Sequence, residues 1–170
     1  KGIHKWCNKG IKVSSLSDKQ KNSCPLCRTK HPLSEEEGIE RLRPWVEKGK
    51  AWAQDILGQR YEHGVGVDQS YQQARELFKL SASQGGGSAQ YNLGLMYEDG
   101  LGVDQSYERA AEYYKAAARQ GYGMAQLNLG LLHVDGQGVE RSIETARKWF
   151  MKSAEQGGEN AIGALQDLDK

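Results

Sequence analysis

Residues 88–123 read SAQYNLGLMYEDGLGVDQSYERAAEYYKAAARQGYG, and close copies of this stretch precede and follow it. Gly58, Gly94 and Gly130 recur with a period of 36. Ala53, Ala89, Ala125 and Ala161 keep the same period. So do Gly66, Gly102 and Gly138; Ala74, Ala110 and Ala146; and Gly85, Gly121 and Gly157. No gap is needed to align the copies. Self-similarity at a fixed period of about 20–50 residues marks an array built from one repeated supersecondary unit. Five columns do not hold phase across three copies by chance. The pattern favours binding over catalysis.

Each copy holds two helical patterns. In the first, helix A, the sets Ala53, Leu57, Tyr61; Ala89, Leu93, Tyr97; and Ala125, Leu129, His133 fall at i, i+4, i+8 on one face. Gly58, Gly94 and Gly130 lie mid-helix, where glycine costs about 0.5–1 kcal/mol relative to alanine. A cost repeated in every copy points to close approach of the partner helix. The turns HGVGVDQSY, DGLGVDQSY and DGQGVERSI supply glycines that reach positive φ. Val67, Val103 and Val139 are expected to plug each turn against the core. Ser70, Ser106 and Ser142 are natural N-caps for helix B.

Helix B carries Ala74, Leu77, Phe78, Ser81 and Ala82, then Ala110, Tyr113, Tyr114, Ala117 and Ala118, then Ala146, Trp149, Phe150, Ser153 and Ala154. That is i, i+3, i+4, i+7, i+8, one apolar stripe. Gln84-Gly85, Gln120-Gly121 and Gln156-Gly157 close the helices. A nucleotide reading of the recurring Gly-x-Gly fails for want of a third glycine, a preceding strand and a lysine.

The repeat stands here as Ala89, Leu93-Gly94, Tyr97, Gly100, Gly102-Val103, Ala110, Tyr114, Ala117-Ala118 and Gln120-Gly121. On this pattern the stretch 50–160 resembles the Sel-one-like repeat (SLR) family. The departures are His133 in a tyrosine column and Ile56 where Asn92 and Asn128 stand. The resemblance implies an all-α fold, an α/α superhelical solenoid of tetratricopeptide-like helix pairs. It also implies a protein–protein interaction scaffold with no shared catalytic residue, binding through a concave face lined by helix A. The pairs are expected to stack into a right-handed superhelix. Along helix A, Asp55, Tyr91 and Leu127 share one changing column, and Gln59, Leu95 and Leu131 another. The columns are four residues apart, so both lie on one stripe. These six residues are the candidate protein-binding face; packing between repeats is the alternative reading of the leucines.

Before the repeats, residues 34–49 open with Ser34-Glu35-Glu36-Glu37, a capping box at the positive end of a helix dipole. Ile39, Leu42, Trp45 and Val46 follow at near-helical spacing, and Pro44 is expected to kink or interrupt the helix. Leu42 precedes Phe78 by the repeat period, so this element reads as a degenerate helix B with the role of an N-terminal cap. At the other end Ala161, Leu165 and Leu168 begin a fourth helix A, a C-terminal lid. The boundaries are therefore 1–33, 34–49 and 50–170, with repeats at 51–86, 87–122 and 123–158 and a partial one at 159–170.

Residues 1–33 are basic, polar and poor in helical periodicity. They contain His4-x2-Cys7, sixteen intervening residues, then Cys24-Pro25-Leu26-Cys27-Arg28. Two such pairs on tight turns can close a tetrahedron around zinc. The alternative is a lone Cys-x2-Cys turn with an unrelated histidine. A redox reading lacks the strands it needs.

This segment resembles the closing part of a RING-type zinc finger over about 28 residues. The resemblance implies that His4, Cys7, Cys24 and Cys27 are zinc ligands. It implies that Pro25 and Arg28 face a ubiquitin-conjugating enzyme. The pattern departs in lacking an opening Cys-x2-Cys pair and in having Gly10 where a further cysteine would stand. Lys1, in place of Met, fits a fragment with the finger truncated. The longer protein would then be a RING-type ubiquitin ligase whose repeats choose the substrate, with no catalytic side chain of its own.

The formal net charge of +1 gives no reason to expect nucleic acid. No apolar run approaches the roughly 18–20 residues of a membrane span. Cys7, Cys24 and Cys27 all precede the repeats, so disulfides do not hold them. His31, His63 and His133 are scattered and form no catalytic constellation. Cytoplasmic placement is favoured.

Overall fold

A computed structural model describes residues 34–169. Among these residues there are eight helices and no strand. They are α1 (Glu35–Glu47), α2 (Ala51–His63), α3 (Tyr71–Ser83), α4 (Gly87–Asp99), α5 (Tyr107–Arg119), α6 (Gly123–Asp135), α7 (Ile143–Ala154) and α8 (Glu159–Leu168). The fold is an α/α solenoid of helix pairs, with α2, α4 and α6 as helices A and α3, α5 and α7 as helices B. No helix among them is long and apolar enough to cross a membrane. The described residues divide into two compact units, with the boundary between Leu80 and Ser81.

In the first unit α1 packs against α2. The Ser34 hydroxyl accepts from Glu37 N at 3.2 Å and the Glu37 carboxylate accepts from Ser34 N at 3.1 Å. The capping box is therefore formed. Pro44 does not interrupt α1, which runs on to Glu47. Its missing N–H would have served the carbonyl of Glu40, on the exposed face of the helix, where an unpaired carbonyl costs little. Ile39, Leu42, Ala53 and Leu57 form the buried centre, flanked by Trp45, Trp52, Tyr61 and Leu77.

In the second unit α4, α5, α6, α7 and α8 pack each against the next in chain order. One core gathers Tyr97, Ala110, Tyr114, Ala117, Ala118, Ala125, Leu129 and Leu132. A second gathers Leu127, Ala146, Phe150 and Ala161. The helix-B stripe faces inward as its spacing predicts, and the small residues at its end, Ala117 and Ala118, are buried. Ser106 and Ser142 cap their helices, accepting from Arg109 N at 3.3 Å and Thr145 N at 3.1 Å.

The mid-helix glycines serve an aromatic ring. A Cβ on Gly58 would lie 2.6 Å from Phe78 Cε1. On Gly94 it would strike the Tyr114 ring, and on Gly130 the Phe150 ring. Helix A thus lacks a side chain where its own helix B lays a phenyl group across it. Gly138 has φ +66, and a Cβ there would run into the backbone of Tyr107 and Glu108. In the same way Gly66 lies against Glu35. Both turns are seated on the first turn of an earlier helix.

Candidate protein-binding face

Helices A are nearly enclosed. On α4 the buried residues Ala89, Asn92, Leu93, Gly94, Met96 and Tyr97 cover most of the circumference, and Asp99 alone is exposed. What remains is a narrow half-open stripe of Tyr91, Leu95 and Glu98, at i, i+4, i+7. The same columns on α6 hold Leu127, Leu131 and Val134. Leu127 is 7% exposed and belongs to the core of Phe150 and Ala161. Leu131 is 43% exposed and Met124, on the same face, 48%. Tyr91 and Leu95 pack partly against the core below them.

A polar cluster supports the stripe where α4, α5 and α6 meet. The fully buried Tyr114 donates its hydroxyl to the Glu98 carboxylate. The Asn128 side chain lies beside the hydroxyls of both Tyr91 and Tyr114 and works against the upward pull of burial on each. Tyr91 also meets the Tyr114 ring at 5.7 Å and the Tyr122 ring at 5.1 Å. Burial, and then the Glu98 carboxylate it serves, push the Tyr114 hydroxyl far above the ordinary tyrosine value. Burial also raises Tyr91, reinforced by Tyr122 and Glu98. Both phenols are therefore neutral across the physiological range, and Tyr114 is a neutral donor to Glu98.

Glutamines clamp neighbouring helices. Gln120 Nε2 donates to Gln90 Oε1 at 2.8 Å, and Gln156 Nε2 to Gln126 Oε1 at 2.8 Å. Gln126 Nε2 in turn donates to Ala118 O at 3.1 Å, serving a carbonyl at the end of α5. A buried glutamine is costly unless paired, and Gln126, the buried member, is paired through both its amide oxygen and its amide nitrogen.

In the first unit the stripe columns on α2 hold Asp55, Gln59 and Glu62. Asp55 is 5% exposed and Gln59 half-buried, its amide donating to Asp55 Oδ2 at 3.4 Å. Burial raises the Glu62 carboxyl; His63 opposes this and Asp55 adds to it. The six candidate residues thus differ in access: Leu131 is open, Gln59, Tyr91 and Leu95 are half-open, and Asp55 and Leu127 are inside.

Sequence reading did not find Glu98, Asn128, Tyr122 or the glutamine clamps. Signals existed for two of them. Asn128 stands in a column that is isoleucine at Ile56, and Tyr122 replaces the glycines Gly86 and Gly158. His4, Cys7, Cys24, Cys27, Pro25 and Arg28 lie outside the described residues. Among the described residues no group of His, Cys, Asp and Glu could hold a metal ion.

Helix pairs packed in series, with a constant frame and a changing stripe on helix A, define a repeat scaffold. The Sel1 repeat matches three times, at residues 53–86, 87–122 and 123–158, and the chain belongs to that family. No curated protein matches the chain significantly. A Sel1 repeat protein from Oxalobacter formigenes is 30% identical, with a TM-score of 0.74 over 77% of this chain and 52% of that one. The protein c5321 is a protective antigen present in uropathogenic Escherichia coli that displays an SLR fold. It is 36% identical with a TM-score of 0.74, over 78% of this chain and 28% of that one. Helicobacter pylori cysteine rich protein B shares the fold at 22% identity and a TM-score of 0.62, over 76% of this chain and 96% of its own. The chain thus spans about half the length of the Oxalobacter protein and 28% of c5321.

Proposed function

We propose that this chain is a protein–protein interaction scaffold whose helix-A stripe meets the partner. One observation carries the reading. The columns of Ala53, Ala89, Ala125 and of Gly58, Gly94, Gly130 stay fixed, while the stripe columns change and leave Tyr91 and Leu95 half-open on α4 and Leu131 open on α6. An apolar strip left half-open, with Met124 and Leu131 at its edge, suits a partner's anchor side chains. Affinity purification with cross-linking tests it. Leu131→Asp and Met124→Asp change exposed residues and should release partners, whereas Glu112→Lys on α5 should keep them. Equal retention by all three variants would refute the stripe.

A second reading is favoured by the sequence motif of residues 4–28. Here His4, Cys7, Cys24 and Cys27 hold zinc, and Pro25 and Arg28 address a ubiquitin-conjugating enzyme. The full-length protein is then a RING-type ubiquitin ligase with the repeats as substrate receptor. Metal analysis and ubiquitin discharge on the full-length protein and on its Cys27→Ser variant decide it. Zinc and discharge, both lost in the variant while helicity persists, support the ligase. A full-length protein without zinc sinks it and leaves the scaffold untouched.

A further inference from the structure

We infer that the stripe of the second unit takes a protein segment in which aliphatic side chains alternate with Lys or Arg, and that Glu98 reads the positive charge. The inference rests on the scaffold reading and adds the partner's chemistry to it. Three observations carry it. First, charge is segregated by helix. The helices A of this unit, α4, α6 and α8, contain Glu98, Asp99, Asp135, Glu159 and Asp167 and not one Lys or Arg. The helices B, α5 and α7, hold six Lys or Arg and three Glu. Second, Glu98 is half-buried beside Tyr91 and makes no ion pair among the described residues. Its carboxylate accepts a hydrogen bond from Tyr114, a neutral donor, which leaves the negative charge uncompensated. Third, the stripe columns present aliphatic surface, with Leu95 half-open on α4 and Leu131 and Met124 exposed on α6.

A carboxylate held in a partly desolvated setting, with one oxygen committed to a phenol, gains most from a cation. The aliphatic strip supplies contact area but no choice between partners. Complementary charge supplies that choice.

The test uses the whole chain and two short synthetic peptides, one of leucines and lysines, the other with glutamate in place of each lysine. Binding is read by fluorescence anisotropy at low and high salt. The lysine peptide should bind at least about tenfold more tightly than its counterpart, with the gap narrowing as salt rises. Glu98→Gln should also narrow the gap about fivefold. Its amide oxygen still accepts from Tyr114, and an unchanged melting temperature checks the fold. The peptide comparison on the unaltered protein needs no variant at all. Equal binding of the two peptides, or binding of neither, overturns the inference, as does a gap indifferent to both salt and Glu98→Gln. Should both peptides bind equally and Leu131→Asp abolish both, the charge preference falls while the scaffold reading stands. Partner capture indifferent to Leu131→Asp sinks the scaffold reading itself.

Discussion

Gly94 shows how a residue unfavourable for its own helix can be required by the fold. Leucine there would improve helix propensity by up to about 1 kcal/mol. Its Cβ, however, would enter the space of the Tyr114 ring, which is fully buried and tied to Glu98 and so cannot swing away. Overpacking costs about 1–3 kcal/mol or more, so the clash wins. Gly94→Leu should lower the melting temperature by several degrees; a rise would refute the close contact. At Tyr114 itself the hydroxyl matters. Tyr114→Phe leaves the half-buried Glu98 carboxylate short of a donor and should cost about 1–3 kcal/mol. The same column holds Phe78 and Phe150, so a phenyl ring fits and the loss isolates the polar group. There is a pH signature as well. The folded protein raises the Tyr114 value, so this stabilisation is complete below the unfolded tyrosine value of about 10 and is lost as pH rises beyond it. Tyr114→Phe should flatten the fall in stability above about pH 10. An unchanged alkaline slope in urea titrations would speak against the buried phenol.

At the scale of the element, α5 and α7 begin on serine caps and the turns before them on glycines. Ser106→Ala removes the acceptor of Arg109 N and should cost about 1 kcal/mol, measured by urea denaturation. Gly138→Ala should cost more. The residue must adopt φ +66, and its new methyl would meet the backbone of Tyr107, which cannot rotate aside as a side chain can. If Gly138→Ala were as mild as Ser106→Ala, the seating of the turn on α5 would be wrong. The glutamine clamps belong to this scale too. They fasten helix ends by hydrogen bonds that apolar periodicity does not record.

For the molecule as a whole, stability in a repeat array is a sum of neighbour terms. In the second unit α5 and α6 each have packed helices on two sides, whereas α8, the last helix among the described residues, packs chiefly against α7. Leu165 and Leu168 on α8 are half-buried, while their repeat equivalents Leu129 and Leu132 are buried. Amide exchange should therefore be slowest in α5 and α6 and clearly faster in α8. An α8 as protected as α5 would mean that its outer face is covered in solution.

The sequence alone determined the fold class, the helix pairs, the turn positions and most of the core. The reason is that the information is periodic and local. The 36-residue period, the i, i+3, i+4 stripe of helix B, the serine caps and the turn glycines each act within one unit and are then repeated. The helix-A stripe was only half legible. A column that varies from Asp55 to Tyr91 to Leu127 can signal either recognition or packing, and the sequence does not separate the two. Only the tertiary structure decided that Leu127 is inside while Leu131 is outside, four residues along the same helix. Only it assembled Tyr91, Glu98, Tyr114, Tyr122 and Asn128, because that cluster joins α4, α5 and α6 across two repeats. Which side chains meet between helices depends on the distance and rotation at which they pack, and no local pattern encodes either.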